Sequence, residues 1–213
     1  WRIQQEADLF GDGRQEVIRL SMVDTAVTLE AAGTSLTFEE EYGYAASIKL
    51  ETANLDGDGI RDILVFINGG SGGEMNLHAV KVTAAGLAPL PLPDFGYHTN
   101  AVKLEAAYEE AFTLYVHSPQ TGFQDRIPLD PLSGAREFYD PSGRLIASAQ
   151  KPEADGISYY RLVDLGGGIR GVEVLQRLWG CCHADVLTYY SAVLTWQDGR
   201  LVYYSQSLLP PDA

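Results

Sequence analysis

Basic residues are scarce in this chain. Its 213 residues include 15 Lys and Arg against 29 Asp and Glu, a formal charge of −14. A field of that sign repels phosphate backbones and anionic lipid, so nucleic acid is not an expected partner; solubility and the attraction of cations are favoured instead. Cysteine is scarcer still, with only the adjacent pair Cys181 and Cys182. No disulfide framework can staple such a fold, and the compartment cannot be read from cysteine usage. Nowhere does the chain approach the roughly 18 consecutive apolar residues of a transmembrane helix, so no membrane-spanning segment is expected. It opens on Trp1, as a processed or trimmed chain does.

A hydrophobic fraction of 46% is ordinary for a folded globule. The length fits one large domain or two small ones, and one repeat-built domain over 1–213 is the expectation. The repeat is visible directly. Ala7-Asp8-Leu9-Phe10-Gly11-Asp12-Gly13 returns 46 residues later as Ala53-Asn54-Leu55-Asp56-Gly57-Asp58-Gly59, each followed by an apolar run. Weaker echoes begin near residues 101 and 159: Val102 to Ala106 resembles Ile48 to Thr52, and Gly166 to Val172 resembles Gly57 to Ile63 without its carboxylates. Four units follow, about 1–46, 47–100, 101–158 and 159–213.

Within the units, β-branched and aromatic runs are bounded by Gly, Pro and Asp, as strands are. Ala26 to Leu29, Ser35 to Phe38, Leu77 to Val82, Phe112 to His117, Val186 to Trp196 and Leu201 to Ser205 all read this way. Asp140-Pro141-Ser142-Gly143 and Gln197-Asp198-Gly199-Arg200 read as hairpin turns. Lys103 to Phe112 puts Leu104, Tyr108, Ala111 and Phe112 near one helical face, but the repeat alignment favours a strand there.

One loop carries metal chemistry. Asn54, Asp56 and Asp58 alternate, Gly59 allows a sharp turn, Ile60 offers a carbonyl at the seventh position and Asp62 a carboxylate at the ninth. Calcium wants six to eight such oxygens at about 2.3–2.6 Å. Val65 stands where the bidentate Glu of an EF-hand would be, and a strand follows in place of the exiting helix. The bland alternative is a polar turn. The loop resembles the Asp-x-Asp/Asn-x-Asp-Gly-x-x-Asp loop of the FG-GAP/VCBS repeat family, which leads into a hydrophobic strand. That resemblance covers two loops and their strands, and it implies β-propeller blades with calcium held by Asn54, Asp56, Asp58, Asp62 and the Ile60 carbonyl. In the earlier loop it implies Asp8, Asp12 and Glu16, with Arg14 at the carbonyl place, but Phe10 removes one ligand.

Other motifs are weighed against blander readings. Gly69-Gly70-Ser71-Gly72-Gly73 fits Gly-x-Ser-x-Gly, yet a strand pattern follows where a nucleophile elbow needs a helix, so a hairpin loop is expected. Cys181, Cys182 and His183 are soft ligands suited to zinc or copper, but adjacent cysteines seldom reach one tetrahedral ion; a vicinal disulfide is an alternative, and two free thiols the plainer state. His78, His98, His117 and His183 form no ligand-spaced pair and read as surface or packing residues. Six of the twelve tyrosines lie in the last unit as adjacent pairs, so Tyr189, Tyr190, Tyr203 and Tyr204 are a candidate ligand platform, with core packing as the alternative.

The expectation is an all-β fold, a β-propeller or propeller-like array of about four blades, with a calcium-looped β-sandwich as the alternative. The expected role is a non-enzymatic, calcium-stabilised binding or structural module, extracellular or in the cell envelope, whose partner is a protein or carbohydrate. The rival is a hydrolase using Ser71.

Overall fold

Alternation of apolar and polar residues, broken by glycine turns, produces strands throughout. The computed structural model describes residues 2–40, 45, 47–69, 75–93, 102–130, 137–146 and 151–211. Among the described residues the fold is all-β, in four sheets whose successive strands pair with one another. The first contains β1 (Arg2–Ala7), β2 (Glu16–Val23), β3 (Ala26–Ala31) and β4 (Thr34–Glu39). The second contains β5 (Ser47–Ala53), β6 (Asp62–Asn68), β7 (Met75–Thr83) and β8 (Gly86–Pro89). The third has β9 (Glu105–Glu109), β10 (Thr113–His117) and β11 (Gln124–Pro128); the fourth has β12 (Glu153–Gly166), β13 (Ile169–Trp179), β14 (Val186–Gln197) and β15 (Arg200–Leu209). No helix among the described residues is long and apolar enough to cross a membrane.

The chain divides into two compact units. One holds Trp1–Pro93, Tyr160–Glu173 and Leu194–Tyr203; the other holds Asp94–Tyr159, Val174–Val193 and Tyr204–Ala213.

In the first unit the strands show two kinds of burial. Along β2, Ile18, Leu20 and Met22 are buried while Arg19 and Val23 face water, the pattern of a sheet covered on one side. Along β6 every residue from Asp62 to Ile67 is buried. Ile63, Val65 and Ile67 join the core of Ile18, Leu20, Val27 and Leu29, while Phe66 points the other way and lies 5.3 Å from the Tyr160 ring. A strand covered on both faces needs an unbroken apolar run, which explains the Ile-Leu-Val-Phe-Ile sequence. The 46-residue repeat persists in the backbone: Gly11 and Gly13 have φ of 70° and 83°, their counterparts Gly57 and Gly59 83° and 86°. Leu9 and Leu55, also counterparts, are both 0% exposed.

In the second unit, Lys103 to Phe112 is extended at its centre, where β9 pairs with β10 through Tyr108↔Leu114. Strand alternation puts Tyr108, Leu114 and Val116 in the core. Buried Gln176 mimics a strand neighbour: its Oε1 accepts from the Val102 amide at 2.8 Å and its Nε2 donates to the Val102 carbonyl at 3.1 Å. The Asp140 to Gly143 turn closes with the Gly143 amide on the Asp140 carbonyl, 2.9 Å. In the first unit, Asp198 (φ 50°) and Gly199 (φ 83°) form the two-residue turn between β14 and β15.

Candidate functional site

The loop between β5 and β6 is organised by its own side chains. Asn54 Oδ1 accepts from the Gly57 amide at 2.8 Å, Asp56 Oδ1 from Asp58 at 3.2 Å, and Asp58 Oδ1 from Ile60 at 2.7 Å. Each aspartate thus spends one oxygen on the turn and keeps another free. The free oxygens converge on an ammonium that the sequence pattern did not reveal. Lys81, on β7, places Nζ 2.7 Å from Asp56 Oδ2, 3.0 Å from Asp58 Oδ2 and 3.2 Å from Asp62 Oδ1. It also lies 5.8 Å from the centre of the Trp196 ring.

The electrostatics follow from burial and that one cation. Burial opposes ionisation of Asp58, but the hydrogen bond from Lys81, the Ile60 amide and the Lys81 charge together outweigh it, and the carboxyl titrates below its usual value. Burial would also depress the Lys81 ammonium; hydrogen bonds to Asp56 and Asp58, with the nearby Asp62 charge, reverse that and raise it. Asp62 differs. It is 0% exposed, and burial wins over the Lys81 charge, lifting its carboxyl to about 6. Its Oδ1 accepts from the Val82 amide at 3.3 Å, whereas Oδ2 is buried with no hydrogen-bond partner among the described residues.

That orphaned oxygen has a pH signature. Between the ordinary aspartate value near 4 and about 6, the native state binds a proton that the unfolded state has released. Stability therefore falls as pH rises across that window, on the order of 2–3 kcal/mol from this one group. Urea unfolding in chelator should show this slope in the wild type and a flatter one in Asp62→Asn; parallel profiles would refute the assignment.

The structure fits a metal in part. Three carboxylates already converge on a cation, and Asp62 Oδ2 lacks a partner. The oxygens stand 2.7–3.2 Å from the ammonium, outside the roughly 2.3–2.6 Å of calcium coordination. No three acidic, histidine or cysteine side chains among the described residues form a ready-made metal group. Calcium would draw on Asp56, Asp58 and Asp62, with Asn54 and the Ile60 carbonyl completing the expected set. It would supply charge neutralisation and cross-linking of the loop.

In the first loop the carboxylates serve the backbone. Asp8 accepts from the Asp12 amide at 3.2 Å and the Gly13 amide at 2.9 Å, Asp12 from Arg14 at 2.9 Å, and Glu16 from Leu9 at 2.8 Å. Phe10 packs on the core.

The remaining candidates separate. Ser71 and His98 lie outside the described residues. Cys181 and Cys182 are free, exposed thiols with sulfurs 4.0 Å apart. The Cys181 thiol is pushed up to about 11, by desolvation first, then by its Cys182 contact and the Asp185 charge, so it stays protonated near neutrality. His183 turns away toward Trp179 (4.3 Å between ring centres) and Asp155. His78 pairs with buried Glu40 and stacks on Phe38 at 3.9 Å, and His117 lies 3.3 Å from Glu105. The tyrosine platform loses one member. Tyr190 is 0% exposed, with its hydroxyl on Gln206 at 2.7 Å, because its side of β14 is core. Tyr189 and Tyr203 are half-buried and Tyr204 is exposed.

Comparison with known families adds one match. The model of the YybI C-terminal domain fits residues 102–209, just over half of the sequence. The chain belongs to the YybI C-terminal domain family. The YybI match covers β9 to β15 and begins after both glycine loops, so the Lys81 cluster lies outside it. No curated protein and no solved structure matches the chain.

Proposed function

We propose that the chain is a calcium-stabilised binding or structural module, non-enzymatic and built as a propeller-like array of about four blades. Asn54, Asp56, Asp58, Asp62 and the Ile60 carbonyl hold the ion. The observation that carries the calcium reading is the buried, unpartnered Asp62 Oδ2 beside carboxylates that already gather a positive charge. A dication answers both the missing partner and the excess negative charge, which one ammonium leaves uncompensated.

The array reading draws on two features of the first unit. Sheet two is covered on both faces, as an interior blade is. The turns also connect through equivalent donors, with acceptors one residue out of register (Leu9 aligns with Leu55). The Arg61 amide donates to the Leu9 carbonyl at 2.8 Å, and the Arg170 amide, at the aligned position of the later repeat, donates to the Asn54 carbonyl at 2.9 Å. Exposed Tyr159 and Tyr204 are the aromatic surfaces proposed to meet a protein or carbohydrate partner. An extracellular or envelope setting suits a module that relies on calcium.

Calorimetry tests the metal assignment. Wild type, stripped with chelator and then titrated with calcium, should take up one ion at the second loop, and Asp58→Ala should lose that uptake. Removing one of three carboxylates takes away both charge and a ligand. Equal uptake by the two proteins would remove the loop from the proposal.

A further inference from the structure

Lys81 already holds one oxygen of each carboxylate proposed for calcium; on Asp62 it is Oδ1, beside the unpartnered Oδ2. Asp56 Oδ2, Asp58 Oδ2 and Asp62 Oδ1 lie at 2.7, 3.0 and 3.2 Å from its Nζ, and the side chain is only 15% exposed. An ammonium and a calcium ion cannot share one set of oxygens at bonding distance. Full ionisation gives the three carboxylates a charge of −3, which the ammonium leaves uncompensated by two and a dication by one. Coulomb attraction thus favours exchange, while the tether keeps the ammonium at high local concentration. The same ammonium already lies over the Trp196 ring, 5.8 Å from its centre, so that face can keep it when the carboxylates are given up.

We infer that Lys81 is a tethered competitor for the calcium loop, holding its carboxylates together when metal is absent and yielding them, toward the Trp196 ring, when a dication arrives. This rests on the calcium reading of the same loop and adds its regulation. The competitor has two consequences. The metal-free loop stays assembled instead of bursting under its own repulsion. Apparent affinity is lowered by the fraction of molecules in which the ammonium occupies the site, which sets the threshold at which calcium binds and disfavours monovalent ions.

The experiment is calcium titration of the chelator-stripped full chain, comparing wild type, Lys81→Met and Lys81→Gln, with melting in chelator and tryptophan fluorescence as companion readouts. Both variants should bind calcium about tenfold tighter or more, the scale of a lost charge-assisted interaction, and should melt lower than wild type in chelator. Calcium should change the fluorescence of wild type more than that of either variant, since only wild type has a cation over Trp196 whose distance can change. Calcium rescue of a variant unfolded in chelator also supports the inference. Equal affinity in wild type and both variants overturns it and leaves the calcium site standing. Binding by the variants but not by wild type supports Lys81 as occupant and overturns calcium as the native ligand. Uptake by none of the three overturns both.

Discussion

Phe66→Ala lowers the unfolding free energy by about 3–5 kcal/mol, the cost of deleting a fully buried aromatic ring. Phe66 is 1% exposed and sits midway along β6, the strand with both faces covered. Its ring contacts Tyr160 at 5.3 Å and carries Lys49 Nζ 5.8 Å from its centre. The cavity opens between a central strand and a segment packed on it, where β pairing limits collapse, so the upper part of the range is expected. Val23→Ala serves as the control. Val23 is 68% exposed, and its loss should stay within about 0.5 kcal/mol. Urea unfolding measures both, and similar midpoints for the two variants would contradict the covered-strand description.

Calcium at a hundredfold excess over its dissociation constant adds about 2.7 kcal/mol to the native state. In a chain of this size that corresponds to a rise in melting temperature of roughly 5–10 °C. The gain has a local origin. In the proposed site the metal would give Asp62 Oδ2 the partner it lacks and tie the start of β6 to the turn before it. Scanning calorimetry in calcium and in chelator should separate the wild-type curves and leave those of Asp58→Ala together. Superimposable wild-type curves would reduce the loop to a polar turn held by Lys81.

Local features were legible in the sequence wherever backbone chemistry dictates them. Gly59 announced a sharp turn, and its φ of 86° provides one. The apolar run after Asp62 announced a strand, and the fold adds that both its faces are buried. Lys103 to Phe112 carried helical and strand periodicities at once, and pairing with β10 decided for the strand. Strand β11, Gln-Asp-Arg-Ile-Pro, gave no strand signal because its stability comes from pairing along β10, not from its own composition. Lys81 was hidden for a related reason. In one dimension it is a polar residue in an alternating strand, and only the β6–β7 register, with Ile63 opposite Val80, carries it to the loop. The tyrosine pairs showed that neighbours face opposite ways, but not that the core would take Tyr190 and leave Tyr204 outside.

Phe66 and Tyr160 touch within one compact unit, yet the ribosome makes them far apart in time. Tyr160–Glu173 and Leu194–Tyr203 complete the unit begun by the two N-terminal sheets, and both lie inside the stretch matched by the family model. The boundary seen by sequence comparison is therefore no boundary in space. During synthesis the first two sheets emerge with the Phe66 side of β6 bare and must wait for most of the remaining chain before it is covered. Such late, long-range closure slows folding and leaves an apolar sheet face open to association with other nascent chains. A gene cut near residue 101 would leave the N-terminal fragment without the Tyr160 segment that covers Phe66.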